Sequence, residues 1–255
     1  MNNTSKKREF WEKRGALASN GGSDDYHLDL IERRLICERI GELRKILEIG
    51  CGSGNTLYDL LLKGAQEVVG IDFSSTFVEQ AKAKFAGNIN VRIFEMNIMN
   101  LEIPVINETF DSIISKRTLI NLENFDEQID VISQLSKLLN PGGKLLILEN
   151  FNEGLEQLNA LRLAWGLSEM KAPWHNRYFD RNEKFEIERQ TGLTLLSDES
   201  VASTYYLLSR LLNAKEAANS GTSPNYDSEI NFAAHNLPNV GDLGAPRLLI
   251  YQKGI

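Results

Sequence analysis

One ten-residue stretch, ILEIGCGSGN from Ile46 to Asn55, limits what this chain can fold into more than any other. Ile46, Leu47 and Ile49 form the short apolar run of a strand buried on both faces. Three alternate glycines follow, Gly50, Gly52 and Gly54, and from Asn55 the residues TLYDLLLKGA set Leu57, Leu60 and Leu61 on one helical face. The glycines therefore occupy the turn from strand to helix. Such a turn presents bare backbone N–H groups and the positive end of a helix, and glycine lets a ligand approach closely. A second apolar run, Val68 to Ile71, ends in Asp72.

These residues resemble the cofactor-binding core of the class I S-adenosylmethionine (SAM) dependent methyltransferases. The first motif of that family is an acid followed by glycine at alternate positions, matched here by Glu48, Gly50, Gly52 and Gly54. A dinucleotide fingerprint would need its third glycine where Asn55 stands, which disfavours a nicotinamide-dependent oxidoreductase. The resemblance runs from about Lys45 to Glu149 and touches the final strand. It implies an α/β fold, a Rossmann-like, mostly parallel sheet of seven strands with helices on both faces, plus a cap from insertions. It also implies SAM as cofactor, with Cys51, Asn55, Phe73 and Lys116 joining the motif residues around it. Asp72 would accept both ribose hydroxyls, the alternative being that it only caps the next helix. Asn97 stands where relatives carry an aspartate for the adenine amino group, and an amide carbonyl can serve without the charge. Ile98 would lie against the adenine face, or simply pack in the core.

Size and charge narrow the remaining possibilities. With 255 residues, 42% of them hydrophobic, the chain suits one α/β domain with insertions better than two domains. A net charge of −7 argues against a general nucleic-acid binder. The opening MNNTSKKREFWEKRG has no apolar segment of signal-peptide length, and no run reaches the ~20 apolar residues of a membrane span, so a cytoplasmic protein is expected. Cys37 and Cys51 lack metal-site spacing and are expected to be free thiols, with Cys51 a small residue tolerated in a tight turn.

Residues 1–44 read as an N-terminal helical lid and 45–255 as the SAM-binding domain. Phe10 and Trp11 are candidates either to line that lid or to staple it to the core. Ser23 or Asp24 is the expected N-cap of a helix carrying Leu28, Ile31, Leu35 and Ile36, which ends at Gly41. Tyr26 and His27 fall in its first turn as surface residues, at a place that faces the methionine end of the cofactor in relatives. Further strands are expected at Val91–Phe94, Phe110–Ser115, Lys144–Glu149, Leu193–Val201 and Leu248–Gln252, with Asn140-Pro141-Gly142-Gly143 as a tight turn.

Chemistry on the acceptor is expected from the ends of the later strands and from two insertions, about 152–190 and 203–245. Lys116, Arg117, Thr118 and Asn121 follow the fourth strand, where open α/β sheets bind ligands. Pro173-Trp174-His175-Asn176-Arg177-Tyr178 concentrates a base, a cation and aromatics on a loop, a mixture suited to a sugar ring or phosphate. His175 is the candidate general base and Tyr178 the residue that orients the acceptor, while Arg117, Arg177 or Arg210 would hold a phosphate or carboxylate. No cluster with metal-ligand spacing appears. Residues 203–245 read as a helical cap containing a loop, and with WHNRY they are similar to methyltransferases of bacterial surface-polysaccharide pathways. The expected acceptor is a small molecule or saccharide, the expected reaction methylation of an oxygen. The alternatives are another metabolite O- or N-methyltransferase and a SAM-binding subunit without catalysis.

Overall fold

Alternation along the strands decides the architecture. In β1 (Lys45–Ile49), Ile46 belongs to one apolar cluster while Leu47 and Ile49 belong to the other. Val68 against Val69 and Ile71 in β2 (Glu67–Asp72), and Leu146 and Leu148 against Leu145 and Ile147 in β5 (Leu139–Asn150), divide the same way. Successive side chains of a strand point to opposite faces, so a sheet that is apolar at every position must be covered on both sides. The computed structural model, which describes residues 3–17, 24–102 and 105–255, has that arrangement.

Seven strands form one sheet in the order β3-β2-β1-β4-β5-β7-β6. β3 (Val91–Glu95), β2, β1, β4 (Phe110–Lys116) and β5 run parallel. β7 (Pro246–Gln252) is inserted antiparallel between β5 and β6 (Thr194–Ser200). The fold is therefore a Rossmann-like, mostly parallel sheet with helices on both faces. Between β1 and β4 the direction of strand succession reverses, which opens a cleft at the carboxyl ends of the central strands. The helices α3 (Asn55–Leu62), α4 (Ser75–Lys84) and α5 (Phe125–Leu138) make the parallel crossovers. Ser74 caps α4 by accepting from the Phe77 N–H, and Asn124 caps α5 by accepting from Glu127.

Two helices precede the sheet, α1 (Asn3–Leu17) and α2 (Tyr26–Arg39). The N-cap of α2 is Asp25, which accepts from the Leu28 N–H at 3.1 Å, and not Asp24; Ser23 lies outside the described residues. The one-residue shift has a cause in packing, since Asp25 also accepts from the Tyr205 hydroxyl and the Arg210 guanidinium, 2.6 Å each. His27 is buried, not exposed, because its ring stacks on His235 at 4.6 Å. Asn140 to Gly143 fall within the bounds of β5, which reaches back to Leu139 opposite Phe110, and the expected reversal is accommodated there: Gly142 has φ +75° and the β4–β5 pairing passes from Leu139 to Lys144 with a register shift.

The insertions rise over the strand ends. The first holds α6 (Asn152–Ala164), the loop with Trp174 to Tyr178, and α7 (Glu183–Thr191). Its backbone joins the sheet through a parallel bridge between Phe151 and Phe179, with Phe179 N–H donating to Asn150 O at 2.9 Å. The second runs through α8 (Ser203–Tyr206), a π-helical stretch Leu207–Asn213, α9 (Ala214–Asn219) and α10 (Glu229–Ala234). The insertions meet where Gly154 faces Gly244. A Cβ on Gly154 would stand 2.1 Å from the Gly244 carbonyl oxygen, and one on Gly244, at φ +104°, would stand 2.7 Å from the Tyr206 ring. Gly154→Ala should therefore destabilise the chain by roughly 1–3 kcal/mol, the usual effect of overpacking, read as a lowered Tm.

Candidate active site

The glycine turn after β1 is shaped by contacts on both of its sides. Gly50, Gly52 and Gly54 all have positive φ, 62°, 53° and 77°. A Cβ at Gly50 would sit 2.1 Å from Thr118 Oγ1, and one at Gly54 would sit 2.6 Å from the Phe85 ring, so a side chain is excluded at both ends. Asp72, at the end of β2, reaches across the turn: one carboxylate oxygen accepts from the Gly52 N–H and the other from the Ser74 N–H, 2.9 Å each. Burial raises its pKa, and these two N–H groups with that of Phe73 work in the opposite direction. Each oxygen keeps acceptor capacity toward the cavity. Glu48 lies behind the turn, 1% exposed, and burial pushes its carboxyl up to about 7.

A cavity of about 690 Å³ opens in front of this turn. Gly50, Cys51, Gly52, Asn55, Asp72, Phe73, Asn97, Ile98 and Lys116 all line it, whereas Glu48 and Gly54 stand behind its wall. The Asn97 side-chain oxygen accepts from the Met99 N–H at 3.0 Å, which fixes the loop after β3. Burial raises the Cys51 thiol well above the usual thiol range, so Cys51 is a poor nucleophile.

Helix α1 closes one side of the cavity with Lys7, Phe10, Trp11 and Arg14. Its Glu12 inserts at the start of α4, accepting from the backbone N–H groups of Ser75 and Thr76 at 2.8 and 3.1 Å and from the hydroxyls of Ser74, Ser75 and Thr76. Burial opposes its charge, but hydrogen bonds from Thr76, Ser75 and Ser74 outweigh burial and hold the carboxyl at about 2. On the other side Lys7 donates to the Asn121 carbonyl at 2.7 Å, and Phe10 packs on the His175 ring at 4.3 Å.

The remaining wall comes from β4, β5, α2 and the insertions. His175, Tyr178 and Arg117, the expected catalytic residues, all line the cavity. His175 lies among Phe10, Trp11 and Trp174, and burial followed by the nearby Lys7 and Arg14 lowers its pKa to about 4, so the imidazole is neutral near pH 7. Burial raises the Tyr178 pKa and keeps the phenol protonated. Arg117 sits at φ 53°, a strained position for a side-chain-bearing residue, and pairs with Glu32 through Nε at 2.8 Å. Arg177 does not face the cavity. Its guanidinium donates to Gln128 at 2.8 Å and to Glu183, above the rings of Phe125 and Phe179.

Sequence reading missed three parts of this site. Asp25, Asp29 and Glu32 project from one face of α2 and meet Arg210, Lys116 and Arg117 in turn. Their helical spacing was visible, but nothing in the sequence marks an acidic stripe as inward-facing. Tyr206 and Tyr226 reach the cavity from the second insertion, and Asn150 from the end of β5. Glu149 lies beneath the loop after β4, one oxygen accepting from Ser115 Oγ at 2.7 Å and from the Thr118 and Leu119 N–H groups at 2.9 Å each. Among the described residues, no group of three or more His, Cys, Asp or Glu side chains is placed to hold a metal ion, and no helix is long and apolar enough to cross a membrane.

Residues 46–143 match the family model described as a methyltransferase domain. The EEF1A lysine methyltransferase 4 of Mus musculus is 26% identical over 151 residues, 54% of this chain and 58% of that protein. The tRNA U34 carboxymethyltransferase of Pseudoalteromonas translucida is 36% identical over 115 residues, 44% of this chain and 34% of that protein. The chain thus spans between a third and six-tenths of these relatives. A chain of the complex between the Haloferax volcanii Trm112 methyltransferase activator and its methyltransferase aligns over 96% of this chain and 98% of its own length, at TM-score 0.67 and 16% identity. The magnesium protoporphyrin IX methyltransferase of Synechocystis PCC 6803 with bound SAM aligns over 100% and 98%, at TM-score 0.60 and 13% identity.

Two outcomes follow from this geometry. Gly50→Ala, which forces a methyl into Thr118 at a positive φ, should lower the Tm and weaken cofactor-analogue binding at least ~10-fold, measurable by calorimetry. Burial also raises the Glu149 carboxyl from its ordinary 4.5 to about 7. In that window the folded chain holds a proton that the unfolded chain has released, so stability falls as pH rises from about 4.5 to about 7, by on the order of 3 kcal/mol for this group. Glu48 adds a slope of the same sign. Denaturant titrations of Glu149→Gln across that range should show about half of the combined slope.

Proposed function

We propose that this chain, built around a methyltransferase domain at residues 46–143, transfers a methyl group from SAM to a hydroxyl oxygen of a small acceptor. The observation that carries the proposal is the Asp72 carboxylate, fixed by the Gly52 and Ser74 N–H groups and lining the same cavity as Tyr178 and His175. The residues suit a nucleoside carrying an amino acid. Asp72 would take the ribose hydroxyls, Ile98 and Asn97 the adenine, and the Gly50–Gly52 turn with Lys116 the amino-acid end. SAM supplies a methyl group already made electrophilic by the sulfonium.

What the protein adds is position. Holding the acceptor in line is worth about 7 kcal/mol or more. The cavity volume of about 690 Å³ lies within the range of small-molecule sites. Helix α1 and both insertions contribute to its walls, an arrangement suited to excluding water. Tyr178, a protonated phenol, orients the acceptor hydroxyl. His175 is neutral near pH 7 and free to accept a proton, though with a pKa of about 4 it would hold that proton weakly. Its role as base is thus confined to taking the proton as the new bond forms.

A saccharide hydroxyl is the finer reading of the acceptor, and it rests on the polar and aromatic lining by Trp11, Asn176 and Tyr178 alone. The relatives named above act, by their descriptions, on a protein lysine and on tRNA. The net charge of −7 and the walls from α1 and the insertions favour a small molecule over either.

Calorimetry with S-adenosylhomocysteine should show saturable binding, weakened about 10- to 100-fold by Asp72→Ala, which removes hydrogen bonds to a charged group. Equal binding by the variant would overturn the cradle. Incubation of the chain with methyl-labelled SAM and fractionated metabolites should label a small-molecule fraction. A protein that binds the cofactor analogue but labels nothing would be a cofactor-binding subunit instead.

A further inference from the structure

One wall of the cavity, reaching from the expected amino-acid end of the cofactor toward the acceptor, is built of charge pairs. Three of the six cations that line the cavity stand on it: Lys116 and Arg117 at the end of β4, and Arg210 from the π-helical stretch of the second insertion. Each is held by one acid of α2 or of its N-cap. Lys116 pairs with Asp29, Arg117 with Glu32 through Nε at 2.8 Å, and Arg210 with Asp25 at 2.6 Å. The acids are almost fully enclosed, their side chains 6%, 3% and 6% exposed for Asp29, Glu32 and Asp25. The aromatic surfaces are engaged as well. The Arg210 guanidinium lies over the Tyr226 ring at 4.4 Å and over Tyr206 at 5.2 Å, so cation–π attraction there is satisfied from within the chain.

We infer that this chamber selects an acceptor without net charge, one that presents a hydroxyl to the hydroxyls of Tyr178 and Tyr206. The inference rests on the methyl-transfer reading above and specifies its substrate class. An anionic acceptor seated on this wall would have to draw Arg117 or Arg210 from a buried carboxylate partner and leave that carboxylate uncompensated, which is strongly unfavourable. A cationic one would have to separate the same pairs from the other side. A neutral hydroxyl requires neither. Tyr178 and Tyr206 approach the cavity from different insertions, and each hydroxyl can both donate and accept. Tyr206 is further seated against Gly244, which packs on Gly154, so its ring has little freedom to withdraw.

Three probes with the same ring and different charge test this: phenol, benzoate and benzylamine, titrated into the full chain saturated with S-adenosylhomocysteine and followed by ligand-observed NMR. Phenol should bind saturably in the millimolar range, with benzoate and benzylamine at least ~10-fold weaker. Tyr206→Phe should weaken phenol about 2- to 10-fold, the worth of one hydrogen bond, while the affinity for S-adenosylhomocysteine stays unchanged. Glu32→Gln, which strips Arg117 of its counter-charge, should raise benzoate affinity ~10-fold or more and leave phenol nearly unchanged. The wild-type ranking stands as a test by itself should that variant fold poorly. Benzoate or benzylamine binding as tightly as phenol, or no saturable phenol binding at millimolar concentration, would overturn the inference. Failure of S-adenosylhomocysteine to bind at all would instead reject the methyl-transfer reading, so the two failures are told apart.

Discussion

The site depends on a carboxylate that holds two pieces of backbone at once. By accepting from Gly52 and Ser74, Asp72 fastens the glycine turn after β1 to the start of α4. Strands β1 and β2 are neighbours in the sheet, paired in parallel register up to Ile49 and Ile71, so the two hydrogen bonds need little further ordering. The Cys51 N–H donating to Ile71 O at 3.0 Å continues that pairing into the turn. A loop of three glycines would otherwise be among the most mobile parts of a chain. Here its freedom is removed by a partner one strand away, with Thr118 and Phe85 filling the space that side chains would have taken.

A second layer of charge surrounds this cradle and obeys a different logic. Helix α2 supplies acids to β4 and to the second insertion, so one helix joins the sheet to the cap. Buried ion pairs of this kind contribute little net stability, because desolvation offsets most of the attraction. Their effect is on geometry. Arg117 is kept at a positive φ by Glu32 and by its own N–H donating to Leu148 O at 2.9 Å, which fixes where the chain turns after β4.

Much of the fold could be read from the sequence because the information was local. The apolar runs around Ile46, Val68, Ile113 and Leu146 marked strands buried on both faces, and Gly50, Gly52 and Gly54 marked the turn between strand and helix. What escaped was set by contacts distant in sequence. The N-cap at Asp25 is selected by Tyr205 and Arg210, 180 and 185 residues away, and His27 is covered by His235. Arg177 was indistinguishable in sequence from Arg117, yet Glu183 and Gln128 turn it outward. Asn140 to Gly143 make the local reversal that their residues predict, with Gly142 at φ +75°, but the pairing of Leu139 with Phe110 extends the strand beyond it.

Helix α1 is stitched along both of its edges. Glu12, Arg8 and the Gly15 carbonyl are tied to α4 and to the end of β3, while Lys7 and Phe10 are tied to the loop after β4 and to the first insertion. The half of the cavity at Asp72 and the half at His175 therefore share a single roof beam. Lifting one edge loosens the other, so the two compartments would admit and discharge their contents together, as one concerted opening and not as two doors in series.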